Sequence, residues 1–560
     1  MIANLKRIGL LSLFFVFFIN LISIAFFMFG GRIHWGIVIL SLFMAVAATF
    51  YVVKPEKNDK MDFVICVGIF ILFSIGAMIC CSIIFSSDWD GNTYHKMAIG
   101  LLKNGWNPIA ESASEFAAEF FNNSDIPSHN IWTDHYGKAS WIYAAAIYSL
   151  TGSIEAGKSY LALGMLALFC LLLAYLLERG ISEAKAIVIS VIFTFNPISI
   201  SQLLTYYVDG YLFVYLFVLI VGLLEFIEQK NKILSWAIVF TAMPVLANIK
   251  FTGLLYGGIF CVFFYVFYIG IQYVRNRELI KKEIISKLVV FSILAVVSVG
   301  LLGFPTYVKN FMEHSSPVYP LSDPDVDIMT ANSPSGFENK TVFYKLFYAI
   351  FCQADNIVQS NAEKTLPELK IPFMVYPQEI EKMGSADLRC SGFGLFFSGI
   401  LIVSAGVIIF FLLVKKCEKI KKVFICSVLG LLLILTFAIS ESWWARYSPH
   451  LYLIPCIAVV MLLLLDLKKW TKIFAYIIVL ILMFNNFIFF CSPIERVKAS
   501  CQINNTLDSL AGKEIDVELT DEFSGLLFNL EDKEVTYNVV KQKLGKWDGF
   551  VYRGVKWKAK

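Results

Sequence analysis

A chain of 560 residues that is 58% hydrophobic and 16% charged, with a mean hydropathy of +0.70, is too apolar to be a soluble globular protein. A transmembrane helix needs about 20 mostly apolar residues, and the sequence offers many such runs between short polar segments. The composition therefore predicts an all-α polytopic membrane protein. The net charge of +4 says little about partners, because the distribution of charge matters more than its sum.

The first apolar run, residues 8–29, follows Lys6 and Arg7. It is longer than the roughly 7–15 residues of a signal-peptide core and lacks a small-residue cleavage site, so we expect a retained first helix. Thirteen runs in all are predicted to cross the bilayer: 8–29, 35–53, 62–85, 156–177, 185–204, 208–227, 233–249, 254–274, 286–304, 392–414, 421–440, 447–466 and 472–491.

The basic residues indicate the orientation of the chain, since Lys and Arg collect in cytoplasmic loops. They are concentrated in six loops: Lys54, Lys57 and Lys60; Arg179 and Lys185; Lys230 and Lys232; Arg275, Arg277, Lys281 and Lys282; Lys415, Lys416, Lys419, Lys421 and Lys422; Lys468, Lys469 and Lys472. With thirteen spans, all six loops lie on the side of the amino terminus. The sequence thus predicts a multi-pass protein of the inner or plasma membrane, with a cytoplasmic amino terminus and an extracytoplasmic carboxyl terminus.

Two large loops and a tail are then external. The loops are residues 86–155 and 305–391, and the tail is residues 492–560. The tail contains the β-like segments EIDVEL and EVTYNVV and is predicted to be a small α/β domain, separate from a transmembrane domain at 1–491. Residues 138–152 are apolar but short, and we expect a helix at the outer membrane interface.

Loop 86–155 contains two polar clusters at the predicted membrane surface. The first, in DWDGNTYH, consists of Asp88, Asp90, Tyr94 and His95, and the second, in WTDHYGK, consists of Trp132, Asp134, His135, Tyr136 and Lys138. A carboxylate can take a proton from an attacking hydroxyl, and Lys or protonated His can stabilise phosphate. The alternative is that Asp88 and Asp90 only solvate a helix end.

Further polar residues lie at the outer ends of later spans. Tyr and Trp at these positions are typical of the aromatic belt of membrane proteins. Lys250 and Arg446 differ, because they are cations on the predicted outer side, where this chain otherwise has few basic residues. Asp209 also lies at the outer end of a predicted span. An anionic head group would suit these cations. The alternative is that both side chains extend to lipid phosphates.

The order of these motifs resembles that of the GT-C superfamily of integral-membrane glycosyltransferases, which includes protein O-mannosyltransferases and aminoarabinose transferases. The resemblance covers about residues 60–460 and rests on DWDGNTYH, DHYGKASW with LTGSIEAGK, YVKN with SSPVYPL, and WWARYSPHLYLIP. The chain departs from the pattern in two ways. Gly137 occupies a position where many relatives have Pro, and two helices precede the span that leads to the acidic loop.

The resemblance implies a GT-C-like fold and transfer of a sugar from a polyprenyl-phosphate donor to a hydroxyl of a glycan, lipid or protein on the extracytoplasmic face, with inversion. It implies Asp90 as the base and Asp88 as the second choice. The donor phosphate and substrate would be bound by His95, His135, Lys138, Asp209, Lys250 and Arg446. No cofactor, nucleic acid or strong metal cluster is expected, although Asp88 and Asp90 could hold one divalent ion with donor phosphates.

Two other classes of membrane protein also have many transmembrane helices. A flippase or transporter of lipid-linked glycans would have internal repeats and helices broken near mid-bilayer, and we find no convincing repeat. A polysaccharide polymerase or ligase would favour paired arginines in its outer loops, whereas loop 305–391 has Arg389 alone. Cys352 and Cys390 in that loop could form a disulfide, although their spacing matches no recognised framework.

Overall fold

The computed structural model describes residues 1–55, 59–275, 280–323, 333–355, 366–413, 419–464, 469–519, 522–540, 547–553 and 555–560. Within these ranges, nine helices are long and apolar enough to cross a membrane: Ile2–Met28, Trp35–Val52, Lys60–Ser82, Ile154–Glu178, Asp209–Glu228, Phe251–Val274, Lys281–Leu301, Lys419–Ala438 and Lys472–Leu510. This confirms an all-α polytopic architecture. The count of thirteen spans and the GT-C fold stay predictions.

The other predicted spans are helical but shorter. Three of them correspond to single helices: Lys232–Ala247, Phe397–Leu413 and Pro449–Leu464. The predicted span 185–204 is divided into the helices Glu183–Thr194 and Pro197–Ser201. Asn196 separates them, and its Oδ1 accepts a hydrogen bond from the Ser199 amide at 3.0 Å. At 1.5 Å per residue, the 12-residue helix is about 18 Å long, well short of a hydrocarbon core of about 30 Å.

The chain forms two compact units. The first comprises residues 1–171, 204–323 and 496–560, and the second comprises 172–203 and 324–495. In the first unit, the shorter helical segments between the long helices are Gly91–His95, Lys96–Asn104, Ala113–Phe120, Asn130–Thr133, Ala139–Thr151, Phe304–Val308 and Lys309–His314. In the second unit they are Ser335–Phe337, Val342–Phe351, Pro377–Lys382 and Ala445–Tyr447. Two of the long helices contain a 3-10 turn, at Ile154–Ser159 and Ile488–Phe490.

Helix Ala139–Thr151 corresponds to the helix expected at the membrane interface. Its residues 139–148 are all buried, so protein encloses the helix on every face. An interfacial helix would keep a polar face in water. Close packing explains the difference, because a Cβ atom at Gly157 would lie only 2.7 Å from the Cβ of Ala144. The small residues of this helix therefore serve contacts with protein.

The carboxyl-terminal segment begins with a helix, Cys491–Leu510, and continues into a four-stranded sheet. Its strands are β1 (Glu514–Leu519), β2 (Thr536–Val539), β3 (Gly549–Tyr552) and β4 (Val555–Ala559), in the order β2-β1-β4-β3. β1 pairs with β2 in parallel and with β4 antiparallel, and β3 pairs antiparallel with β4. Strands β1 and β2 lie in the two segments expected to be β, and the turn Ser524–Leu526 and helix Leu527–Glu531 connect them. The separate domain at 492–560 stays a prediction.

Candidate functional site

Asp88 caps the helical segment that runs through residues 89–104. Its Oδ2 accepts a hydrogen bond from the Gly91 amide at 2.8 Å, as an N-cap carboxylate does. Its Oδ1 accepts from the hydroxyl of Ser86 and lies 3.4 Å from the amide nitrogen of Tyr206. The side chain is buried. Both carboxylate oxygens therefore have donors from this chain, in agreement with the helix-end alternative for this residue.

Asp90 lies two residues further along and is more exposed. Its carboxylate is half-buried, and its Oδ2 accepts a hydrogen bond from the Tyr94 hydroxyl at 3.2 Å. The turn that follows, Gly91–His95, is π-helical, a conformation found often at functional sites. Of the two acidic residues in the motif, Asp90 is thus the more exposed.

Aromatic rings join the two polar clusters of loop 86–155. The ring of Tyr94 stacks on Trp132 at a centroid distance of 5.5 Å, and Tyr136 stacks on Trp141 at 5.8 Å. The indole Nε1 of Trp141 donates a hydrogen bond to His95 Nδ1 at 2.6 Å. Because an indole N–H can only donate, His95 Nδ1 carries no proton and the ring is neutral. The structure thus brings DWDGNTYH and WTDHYGK together, and it does not favour a charged His95.

Lys138 is buried beneath this cluster. Its Nζ donates hydrogen bonds to the carbonyl oxygens of Asp134 at 2.8 Å and Tyr136 at 3.1 Å. Burial lowers the pKa of Lys138 to about 7, an effect that the nearby Asp134 carboxylate partly offsets. The Asp134 carboxylate accepts from the Ala113 amide at 2.7 Å, and burial raises its pKa. These contacts stabilise the loop and use two of the three N–H donors of the charged amine that was predicted to bind phosphate.

The side chain of His135 contacts residues of the segment 310–319. Its Nδ1 lies 2.8 Å from Oδ1 of Asn310, and its ring lies against those of His314 and Tyr319 at centroid distances of 4.9 and 4.7 Å. Burial lowers the pKa of His135 to about 4, so the imidazole is neutral at neutral pH. A neutral imidazole is a weaker partner for phosphate than the protonated form.

Asp209 and Lys250 form an ion pair with 2.8 Å between Oδ1 and Nζ, and both side chains are largely buried. The pair lies beside the clusters of loop 86–155, because the Asn248 carbonyl accepts from the Ala139 amide at 2.8 Å. A Cβ atom at Gly137 would lie 2.5 Å from that carbonyl oxygen. This close approach explains the glycine at position 137 and connects loop 86–155 with the end of helix Lys232–Ala247.

Arg446 belongs to the second unit, where it shares a carboxylate with a second arginine. Its Nε lies 3.1 Å from Oδ1 of Asp387, and Nη2 of Arg389 lies 2.8 Å from Oδ2. The indole Nε1 of Trp444 also donates to Asp387, at 3.1 Å, and both guanidinium groups lie over its ring, at 4.9 and 4.4 Å. All four side chains are buried. Asp387 thus receives two guanidinium groups and an indole N–H.

Sequence reasoning missed a buried charge cluster centred on Glu155. Its Oε1 lies 2.6 Å from Nζ of Lys96, and its Oε2 lies 2.5 Å from Nζ of Lys158. The Ser86 amide donates to Oε2 at 3.0 Å and the Asn529 side chain to Oε1 at 2.9 Å. Glu155 thus joins the start of the acidic motif to the carboxyl-terminal segment. The sequence signal was a Glu and a Lys three residues apart at the start of an apolar run.

The two cysteines considered for a disulfide are thiols in this structure. Cys352 and Cys390 are both buried and pack in one hydrophobic cluster with Phe337, Trp443 and Trp444. The disulfide stays a prediction.

The eight predicted site residues are thus distributed over both units. Seven belong to the first unit: Asp88, Asp90, His95, His135, Lys138, Asp209 and Lys250. Arg446 belongs to the second. The chain matches no family model, no curated protein and no solved structure. What the fold defines is therefore the class, a polytopic α-helical membrane protein.

Proposed function

We propose that this protein is a membrane glycosyltransferase of the GT-C type that acts on the extracytoplasmic face. Asp90 accepts the proton of the acceptor hydroxyl, whose oxygen then attacks the anomeric carbon of the donor sugar. The bond from that carbon to the phosphate oxygen breaks, and the polyprenyl phosphate leaves with the bonding electrons. The product is a glycoside of inverted configuration in cell-surface glycan assembly.

The observation that carries this proposal is the contrast between the two acids of DWDGNTYH. Asp88 is a buried helix cap, whereas Asp90 is half-buried and directly precedes a π-helical turn. Catalytic carboxylates must be positioned and still reach the substrate. Tyr94 orients Asp90, and the stacked rings of Tyr94 and Trp132 offer apolar faces next to it.

The direct test is transfer by the purified full chain in proteoliposomes. Polyprenyl-phosphate and polyprenyl-diphosphate sugars are the donors, and simple glycosides or lipid alcohols are the acceptors. We expect release of the polyprenyl phosphate to require an acceptor on the external face. If no lipid-linked sugar is consumed by folded protein, the proposal is wrong.

Arg446 was predicted to hold the donor phosphate, and its buried guanidinium lies beside that of Arg389 around Asp387. Arg446→Ala should weaken binding of a polyprenyl-phosphate sugar about tenfold or more, because a hydrogen bond to a charged group contributes roughly 1.5–3 kcal/mol. The measurement is donor affinity in detergent solution.

Arg179→Ala is the matched control, since it removes an arginine from the predicted cytoplasmic side and should leave donor affinity unchanged. Arg446→Lys should recover part of the affinity, as it keeps the charge but loses the planar guanidinium. Equal donor affinity in wild type and Arg446→Ala, with folding intact, would show that Arg446 does not bind the donor.

The proposed orientation can be tested by labelling single cysteines in intact cells with an impermeant thiol reagent. Ser124→Cys and Glu338→Cys alter exposed positions in loops 86–155 and 305–391 and should react. Lys54→Cys and Lys232→Cys alter exposed positions in two of the basic loops and should react only after permeabilisation. The unmodified chain controls for native cysteines. The reverse pattern would place the acidic site in the cytoplasm and reject the lipid-linked donor.

A second candidate function is a polysaccharide polymerase or ligase. The observation that favours it is the pairing of Arg389 with Arg446 on Asp387, because paired arginines in outer loops were expected for that class. Such an enzyme would also use a polyprenyl-linked donor but would transfer a whole oligosaccharide. Product length in the transfer assay separates the two, since a glycosyltransferase of the proposed kind adds one sugar per turnover.

A further inference from the structure

Three potential metal ligands from separate parts of the chain meet in the first unit. His135 comes from loop 86–155, and Glu313 and His314 end the helix Lys309–His314. Their ligand atoms all lie within 4.8 Å of one another. Two imidazoles and a carboxylate form a donor set that suits zinc.

The surroundings of His135 prepare it to bind a metal. Asn310 is fully buried, and its Nδ2 donates to the carbonyls of Tyr319 at 3.0 Å and His135 at 3.3 Å. These bonds orient Asn310 so that its Oδ1, an acceptor, faces His135 Nδ1 at 2.8 Å. Nδ1 must therefore carry the proton, which leaves the lone pair on Nε2. Metal-binding histidines are commonly oriented by such a partner on the other ring nitrogen.

The second imidazole is also held in place. The ring of His314 stacks on Tyr319 with 3.7 Å between centroids and 5° between planes, and it lies nearly perpendicular to His135. Glu313 is 45% exposed and lies 4.0 Å from Nζ of Lys309. Zinc with ligands at about 2.0–2.1 Å would separate tetrahedral donors by roughly 3.4 Å. The exposed side chains of Glu313 and His314 can close the remaining distance.

We propose that His135, Glu313 and His314 bind a zinc ion as three protein ligands, with a fourth position open to water or an anionic oxygen. The ion connects loop 86–155 to the end of the helix that opens loop 305–391. The inference does not depend on glycosyl transfer, and it assigns His135 a role other than phosphate binding. It also places a metal where the sequence predicted none.

The test is metal content of the purified full chain, after removal of any affinity tag, stripping with a chelator and dialysis against micromolar zinc. We expect about one zinc per chain in the wild type. His135→Ala and His314→Ala should lose it. His34→Asn is the matched control, because it also removes one imidazole while Asn can still cap helix Trp35–Val52 as His34 does.

Glu313→Gln is a second test in case a histidine variant does not fold. The Glu313 side chain is exposed, so this substitution should not disturb folding. It should weaken zinc affinity at least tenfold, as measured by competition with a chromophoric chelator. Replacing zinc by cobalt should produce visible absorption bands in the wild type that His314→Ala lacks. Absence of stoichiometric zinc from the wild type, or equal zinc content in wild type, His135→Ala and His314→Ala, would overturn the proposal. A fall in zinc without loss of transfer would leave the proposed function intact.

Discussion

Replacing Asp90 by asparagine is expected to reduce sugar transfer by about 10²–10⁴-fold, the usual contribution of general acid–base catalysis. Asparagine keeps the shape of the side chain and can still accept from the Tyr94 hydroxyl, which lies 3.2 Å from Asp90 Oδ2. It cannot accept the proton of the attacking hydroxyl. Donor affinity should therefore stay nearly unchanged while turnover falls, and steady-state transfer with separate donor-binding measurements would show both.

Asp88→Asn is the matched control, because it makes the same change two residues away. Asparagine is as good an N-cap as aspartate, so the helix start should persist with a modest loss from the contact to Ser86. We expect transfer to fall far less than in Asp90→Asn. Near-full transfer by Asp90→Asn together with none by Asp88→Asn would identify Asp88 as the base. Normal transfer by both variants would reject the mechanism.

Glu155→Gln is expected to destabilise the protein by about 3–5 kcal/mol, the usual result of removing one partner from a buried ion pair. Glu155 is the carboxylate that neutralises Lys96 and Lys158, and all three side chains are buried. The substitution also places an amide N–H₂ where one of the two carboxylate oxygens now accepts from two donors. The loss of stability would be measured by heating the protein in detergent and using size-exclusion chromatography to determine the fraction that stays folded at each temperature.

Glu119→Gln provides the control, since Glu119 is exposed on helix Ala113–Phe120 and its loss should leave thermal stability unchanged. Adding Lys158→Met to Glu155→Gln should recover part of the stability, because it removes one of the two uncompensated cations. If Glu155→Gln is as stable as the wild type, the ion pairs of Glu155 with Lys96 and Lys158 do not contribute to stability.

The amino-acid sequence by itself determined where the helices and two of the strands lie. Hydropathy is a local property, and a run of about 20 apolar residues becomes a helix whatever its neighbours are. Each of the thirteen predicted spans contains a helix, and the span 185–204 contains two. The interruption of 185–204 at Asn196 was not predicted, although Asn followed by Pro is a signal for the start of a new helix. The acidic motif was identified as polar residues after an apolar run, with no knowledge of their contacts.

The tertiary structure alone decided which groups each of those polar residues contacts. Lys138 and His135 were predicted to bind phosphate, and that stays a prediction. In the structure, carbonyl oxygens accept from the Lys138 amine, and Nδ1 of His135 lies against Asn310, 175 positions away. Arg389 and Arg446 meet on Asp387 only after folding. A side chain's charge and accessibility depend on groups brought near it from distant parts of the chain, and hydropathy and motif spacing carry no information about those partners.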